Sequence, residues 1–214
     1  MGWIIGAGMA AVYIVVHQLL PHGVSIIGML AAGMWLTGAL HEDGLADTVD
    51  GLGGGLDRER VLTIMHDSRV GSYGVLALGV MLLLKFSTLS AMSSGVMLWA
   101  VLAGHSVSRL AGVWLMQTLE YVRPQGKGGG MTQPLCKRAL AFAMLTGLLP
   151  LLGAAWCIPL WDLPLVLLAV ALVWWWFRAV LQRRLGGYTG VCVCGMQQLT
   201  EIMFYLGVLA CLSQ

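Results

Sequence analysis

Stretches apolar enough to cross a lipid bilayer recur along the whole of this chain, and that recurrence limits its fold class before any single residue is considered. A hydrocarbon core about 30 Å thick is crossed by roughly 17 to 25 helical residues. Runs of this kind are read at 3–20, 24–40, 74–92, 95–118, 139–157 and 163–181, with a shorter one at 199–212. Inside lipid the backbone has no water to bond to and must satisfy itself within helices. The expectation is an all-α, polytopic membrane bundle of about seven helices, forming one domain over residues 1–214. Composition agrees, with 58% hydrophobic residues, 10% charged residues and a mean hydropathy of +0.83, well outside the soluble globular range.

The twelve Lys and Arg residues are not scattered. Arg58, Arg60 and Arg69 fall in the second connection between spans, Arg123, Lys127, Lys137 and Arg138 in the fourth, and Arg183 and Arg184 in the sixth. The first, third and fifth connections hold none. Basic residues are retained on the cytoplasmic side, so the even connections and the N-terminus are expected in the cytoplasm, in a bacterial inner membrane. A net charge of +2 is too small to argue for a nucleic-acid partner. Met1 is followed directly by apolar residues, without the basic start or small-residue cleavage site of a signal peptide. Cys136, Cys192 and Cys194 lie in connections assigned to the reducing side, so the five cysteines do not read as a disulfide framework. Cys192 and Cys194 have no second ligand pair at the spacing zinc requires.

Against this apolar background, seven of the ten acidic residues fall between Glu42 and Asp67. If the second span continues as a helix past Leu40, Asp43, Asp47 and Asp50 are spaced by four and three residues and share one face. Carboxylates crowded in this way repel unless a cation neutralises them. An all-oxygen set favours magnesium or manganese over zinc, and Glu42, one position off the stripe, is placed to assist as a ligand or general base. Two other readings stay open at this point: a solvated loop balanced by Arg58, Arg60 and Arg69, or an ion pathway of the kind intramembrane acids mark in transporters. His41-Glu42 lacks the second His of a zinc-protease motif, since position 45 is Leu.

Gly51, Gly53, Gly54 and Gly55 are expected to end that helix and let the backbone approach a ligand. Asp57 reads as the N-cap of a short helix whose apolar residues Val61, Leu62, Ile64 and Met65 would lie on the membrane surface. That helix would hold Asp67, Ser68 and Arg69 over the site. In the fourth connection, Arg123 and Lys127 stand in a glycine-rich stretch suited to a diphosphate. Within the spans, Arg109 follows His105 by four residues and is a functional candidate, because charge inside a membrane is costly. Lys85 is ambiguous, and His17 and His22 read as structural.

The run His41-Glu42-Asp43-Gly44-Leu45-Ala46-Asp47-Thr48-Val49-Asp50-Gly51, together with Met65-His66-Asp67-Ser68-Arg69-Val70-Gly71-Ser72-Tyr73-Gly74, resembles the signature of the cobalamin-5′-phosphate synthase family, the adenosylcobinamide-GDP ribazoletransferases. The resemblance continues in Ser108-Arg109, Tyr121-Val122-Arg123-Pro124, Gly126-Lys127-Gly128, Gly186-Gly187-Tyr188-Thr189-Gly190 and Glu201, and so covers nearly the whole chain. It implies a magnesium-dependent inner-membrane transferase. Such an enzyme joins adenosylcobinamide-GDP to α-ribazole or its 5′-phosphate and releases GMP. Carried onto these positions, Glu42, Asp43, Asp47 and Asp50 would hold magnesium, with Asp47 or Glu42 as the catalytic carboxylate. Asp67, Ser68, Arg69, Arg109, Arg123, Lys127, Thr189 and Gly190 would bind substrate. A homo-oligomer is left open.

Three departures stand out. Members begin with a further stretch that includes another partly apolar segment, and this chain enters after it. His66 replaces a Lys. The family's Thr-Gly-Asp-x-Leu-Gly-Ala is here Thr189-Gly190-Val191-Cys192-Val193-Cys194-Gly195, which removes an acid and puts turnover in this chain in question. A CDP-alcohol phosphotransferase also carries an Asp-rich helix at a membrane face, but it calls for Arg where this chain has Asp47. A cation transporter is the alternative from a different class, to be told apart by ion flux in liposomes.

Overall fold

The computed structural model describes residues 1–122 and 135–212. Among them the chain is helical throughout, apart from short turns and one isolated backbone bridge between Tyr121 and Tyr188. The helices are α1 (Gly2–Val16), α2 (His22–Thr37), α3 (Leu40–Gly54), α4 (Arg58–Ile64), α5 (Ser72–Ser90), α6 (Ser94–Thr118), α7 (Lys137–Leu148), α8 (Ala154–Cys157), α9 (Leu163–Leu185) and α10 (Gly190–Leu212). A 3-10 segment, Leu149–Gly153, joins α7 to α8.

Five helical stretches are long and apolar enough to cross a membrane: α5, α6, the α7–α8 unit, α9 and α10. A sixth passage exists only if α2 and α3 count together, and these are bent by 85°. α1, at 15 residues, falls short of the expected span. Its apolar run includes Leu19 and Leu20, but these lie in a turn ahead of Pro21, a residue that disfavours helix in what precedes it. The last span is longer than its apolar core suggested. Residues 190–198, read as connection, form the first turns of α10, because Gln197, Gln198 and Glu201 are buried against other helices rather than left to lipid.

The layering follows from burial. The most apolar windows of α6 and α10 are 67% and 61% buried, whereas those of the α7–α8 unit and α9 are each 17% buried. α6 and α10 are therefore the central pair, and α7, α8 and α9 turn most of their surface to lipid. Without a hydrophobic drive between helices in lipid, close approach through small residues supplies the packing. At Gly104 of α6, a Cβ would stand 2.5 Å from the Tyr205 ring of α10. Gly44 of α3 packs directly on Cys194 of α10, leaving no room for a side chain.

The break between α2 and α3 corrects the expectation of one continuous helix. Gly38 and Ala39 both adopt left-handed backbone, with φ of 62° and 54°. Their amides close α2 by donating to Trp35 O at 3.1 Å and Met34 O at 2.7 Å. Such a residue is routine for Gly and costs other residues about 1 to 2 kcal/mol, so Ala39 is held there by what surrounds it.

Two further expectations change. The glycines do close α3, which ends at Gly54 with Gly55 as its C-cap, but Gly51 and Gly53 are themselves helical and packed, Gly51 on Met65 and Gly53 on the Tyr73 ring. The apolar side of α4 does not lie on the membrane, because Val61 and Met65 are fully buried against the ends of α6, α9 and α10. Asp57 does cap α4, accepting from the Arg60 amide at 2.9 Å.

The even connections converge at one end of the bundle, as their charges suggested. Arg58 Nε donates to Leu185 O at 2.8 Å, and Arg184 Nη2 to Gly55 O at 2.6 Å. Tyr188 N donates to Glu120 O, and Val122 N to Tyr188 O. The opposite end is tied by Tyr13, whose hydroxyl lies 2.7 Å from His22 Nδ1 and 2.8 Å from Ser94 Oγ. This gives His22 the structural role expected of it, and His17 stacks on the same tyrosine.

Candidate active site

α3 runs across the end of the bundle where the basic connections meet, and it presents its acids unequally. Asp43 is exposed, Asp47 and Glu42 are half-buried, and Asp50 is buried. Asp50 accepts the Gly71 amide at 2.7 Å and the Gly74 amide at 2.9 Å. It thus caps the N-terminus of α5 from a neighbouring helix, where amides and the helix dipole both favour an anion. Gly71 and Gly74 permit this because a Cβ at either position would collide with the Asp50 carboxylate. Charge-assisted bonds of this type contribute about 1.5 to 3 kcal/mol each. Asp50→Ala is therefore expected to lower unfolding stability in detergent by about 3 kcal/mol, read from thermal or denaturant melts, whereas a surface control such as Asp57→Ala loses about 1 kcal/mol.

Among the described residues no three His, Cys, Asp or Glu side chains are grouped as a metal-ligand set. The four-acid set that the resemblance implies is therefore not grouped: Asp50 is taken by the α5 cap, and Glu42 Oε1 accepts from Gln198 Nε2 at 3.1 Å. Asp43, exposed, and Asp47, half-buried, form an i, i+4 pair on one face of α3. That donor set suits magnesium, which keeps several waters and takes one or two carboxylates plus substrate phosphate oxygens.

Arg109 lies behind this face. Its Nη1 donates to His105 Nδ1 at 2.9 Å and to His105 O at 3.0 Å, and its Nη2 donates to His41 Nε2 at 3.3 Å. These acceptors are all neutral, so they orient the guanidinium without pairing with it, while Glu201 and Glu42 act on it through space. Deeper still, Glu201 forms an ion pair with Lys85 at 2.7 Å and accepts from Tyr205 Oη at 3.1 Å. Glu201 Oε2 lies 3.5 Å from His105 Nδ1. Since Arg109 donates to that same nitrogen, it carries no hydrogen toward Glu201, and no bond joins them.

Other expected substrate residues are placed differently. Asp67 and Arg69 pair with each other, Nη2 to Oδ2 at 2.7 Å and Nε to Oδ1 at 3.0 Å. The Arg69 hydrogen bonds pull the Asp67 carboxyl down to about 2. The pair is thus intact at neutral pH and is lost only as pH falls through that value; being exposed, it adds little to stability. Ser68 is exposed beside them. Thr189 is fully buried, its hydroxyl 3.2 Å from Cys192 Sγ, and its carbonyl accepts the Cys192 amide at the start of α10. It shapes the helix end and does not face solvent, while Gly190 is exposed. Val191 sits in the first turn of α10, its carbonyl against Gly44 of the acid-bearing helix. Arg123 and Lys127 lie outside the described residues.

Sequence reading passed over His41 and Gln198 and left Lys85 ambiguous. One signal was present: Lys85 and Glu201 are single charges of opposite sign in two apolar runs, and a charge buried in a membrane bundle needs a partner.

A bundle of membrane-crossing helices with a charged cluster at one end, acids on a transverse helix and a guanidinium behind them, defines a multi-pass membrane protein with a polar site at one end. The model of cobalamin-5-phosphate synthase matches residues 1–209, and the chain belongs to that family of transferases. It is 41% identical over 217 residues to the adenosylcobinamide-GDP ribazoletransferase of Ralstonia pickettii, covering 100% of this chain and 83% of that protein. It is 37% identical to the enzyme of that name from Shewanella woodyi, over 98% of this chain and 82% of the relative, and 39% identical to the one from Vibrio cholerae, over 100% and 81%. No solved structure matches the chain.

Proposed function

We propose that this protein joins α-ribazole, or its 5′-phosphate, to adenosylcobinamide-GDP and releases GMP, at the cytoplasmic face of a bacterial inner membrane. The observation that supports this most is the arrangement, at one end of the bundle, of the Asp43–Asp47 face of α3, the oriented Arg109 and the second and sixth connections, tied together by Arg58 and Arg184. Phosphoryl transfer asks for positioning and charge stabilisation more than covalent chemistry, and these groups offer both.

In this reading a ribazole hydroxyl attacks the phosphorus linked to cobinamide. A new P–O bond forms, the P–O bond to GMP breaks, and GMP leaves with the bridging oxygen. A carboxylate of α3, Asp47 in preference to Glu42, takes the hydroxyl proton, since Glu42 has one oxygen on Gln198 and the other buried. Arg109 stabilises charge on the phosphoryl oxygens, and Arg69 stands at the exposed rim. Asp43 and Asp47 would hold magnesium, which when bound neutralises diphosphate oxygens. The alternatives do less well: a CDP-alcohol phosphotransferase needs an Arg at position 47, and the transporter reading needs acids strung through the bundle, whereas these gather at one end.

The test is GMP release from adenosylcobinamide-GDP plus α-ribazole by purified protein in detergent or nanodiscs. Release that depends on magnesium, stops with EDTA and returns when magnesium is restored is the expected result. Release undiminished after chelation would remove the metal from this mechanism, and no release under any condition would remove the reaction.

A further inference from the structure

A small, partly open cavity of about 20 Å³ lies behind α3, lined by Thr37, His41, Glu42, Lys85, His105, Gln198 and Glu201 among others. Five of the polar atoms on these residues are buried without a hydrogen-bond partner: His41 Nδ1, Glu42 Oε2, His105 Nε2, Gln198 Oε1 and Glu201 Oε2. Their chemistry is complementary. Because Arg109 donates to His105 Nδ1 and to His41 Nε2, the opposite nitrogens, His105 Nε2 and His41 Nδ1, each carry a hydrogen. Those two N–H groups are donors, and the three oxygens are acceptors. Leaving such groups unsatisfied costs about 1 to 3 kcal/mol apiece.

We infer that this cavity is a binding site for one water molecule, and that Glu201 acts through it as a positioning residue for Arg109. A water needs roughly 10 to 15 Å³ and two to four polar partners, and the cavity supplies both. The water accepts from the imidazole N–H groups and donates to Glu201 Oε2 and to Glu42 Oε2 or Gln198 Oε1. Held in this way, each imidazole keeps its other nitrogen bare toward Arg109. Glu201 is itself fixed by Lys85 and Tyr205, so the order runs from a buried ion pair, through water and imidazole, to the guanidinium. A metal ion is a poorer occupant, since the described residues offer no group of three ligands.

The positioning role rests on the reading of Arg109 as a phosphoryl-binding group, so the test has two arms. A crystal structure from lipidic mesophase, at a resolution that shows ordered water, should place one density peak within hydrogen-bond distance of His105 Nε2 and Glu201 Oε2. An empty cavity there overturns the inference. In the second arm, Glu201→Gln should raise KM for adenosylcobinamide-GDP about tenfold with kcat within about twofold and KM for α-ribazole unchanged. If that variant does not fold, Lys85→Met/Glu201→Gln removes the ion pair as a unit and should show the same selective rise. Unchanged kinetics, or equal effects on both substrates in a folded variant, overturn the positioning role. If wild-type protein releases no GMP, the proposed reaction fails, but the density still judges the water site and equilibrium binding of adenosylcobinamide-GDP still judges the role of Glu201.

Discussion

Asp47→Asn is expected to reduce GMP release by about a thousandfold or more, with the protein still folded. The substitution keeps shape and hydrogen-bonding capacity while removing one of two carboxylates on one face of α3. A metal that neutralises developing phosphoryl charge contributes several kcal/mol, and about 4 kcal/mol corresponds to three orders of magnitude in rate. Asp43→Asn should act in the same direction, and raising magnesium should recover part of the loss in either single variant. Asp50→Asn is the informative contrast. Its carboxylate is spent on the amides of Gly71 and Gly74, so its loss should appear in melting temperature before it appears in turnover at low temperature. Steady-state rates across a magnesium titration, alongside thermal melts, separate the two. Full activity in Asp47→Asn would end the mechanism.

The second large effect is structural. Lys85 and Glu201 are 5% and 1% exposed at their side chains and 2.7 Å apart. Breaking a buried pair by removing one partner strands the other and costs about 3 to 5 kcal/mol, whereas replacing both with neutral groups is often nearly neutral. Lys85→Met alone should therefore unfold at markedly lower denaturant or temperature. Lys85→Met/Glu201→Gln should recover most of the loss. The coupling read from the double-mutant cycle is expected to be large and favourable. A Lys85→Met protein as stable as wild type would show that Glu201 is neutral in the fold.

These two experiments also mark how far the sequence could be read. The spans between residues 70 and 185 were legible because lipid imposes length and apolarity locally, whereas the polar first turns of α10 were not. The convergence of the even connections was legible because charge bias acts on each of them independently. The acidic face was legible as a spacing, and Asp57 as a cap, since both depend on neighbours within one helical turn. What periodicity could not show was which acids are already committed. Asp50 meets amides from 21 and 24 positions away, and Glu42 meets Gln198 across 156; nothing in a local pattern distinguishes them from Asp43. The break before α3 was hidden for a related reason. Gly38 signals a turn only weakly within an apolar run, and Ala39, its partner in left-handed backbone, does not signal one at all.

The contact of Gly44 with Cys194 carries a consequence for how this protein can change. Gly44 stands between the acids on the same helix whose opposite side forms the seam with α10. Any side chain introduced there would lever α3 outward and shift Glu42, Asp43 and Asp47 together. Chemistry and cohesion are therefore inherited as one unit along α3, and neither can drift alone. Room for variation, and for an engineer seeking a hardier protein, lies instead on the lipid-facing surfaces of α7 and α9.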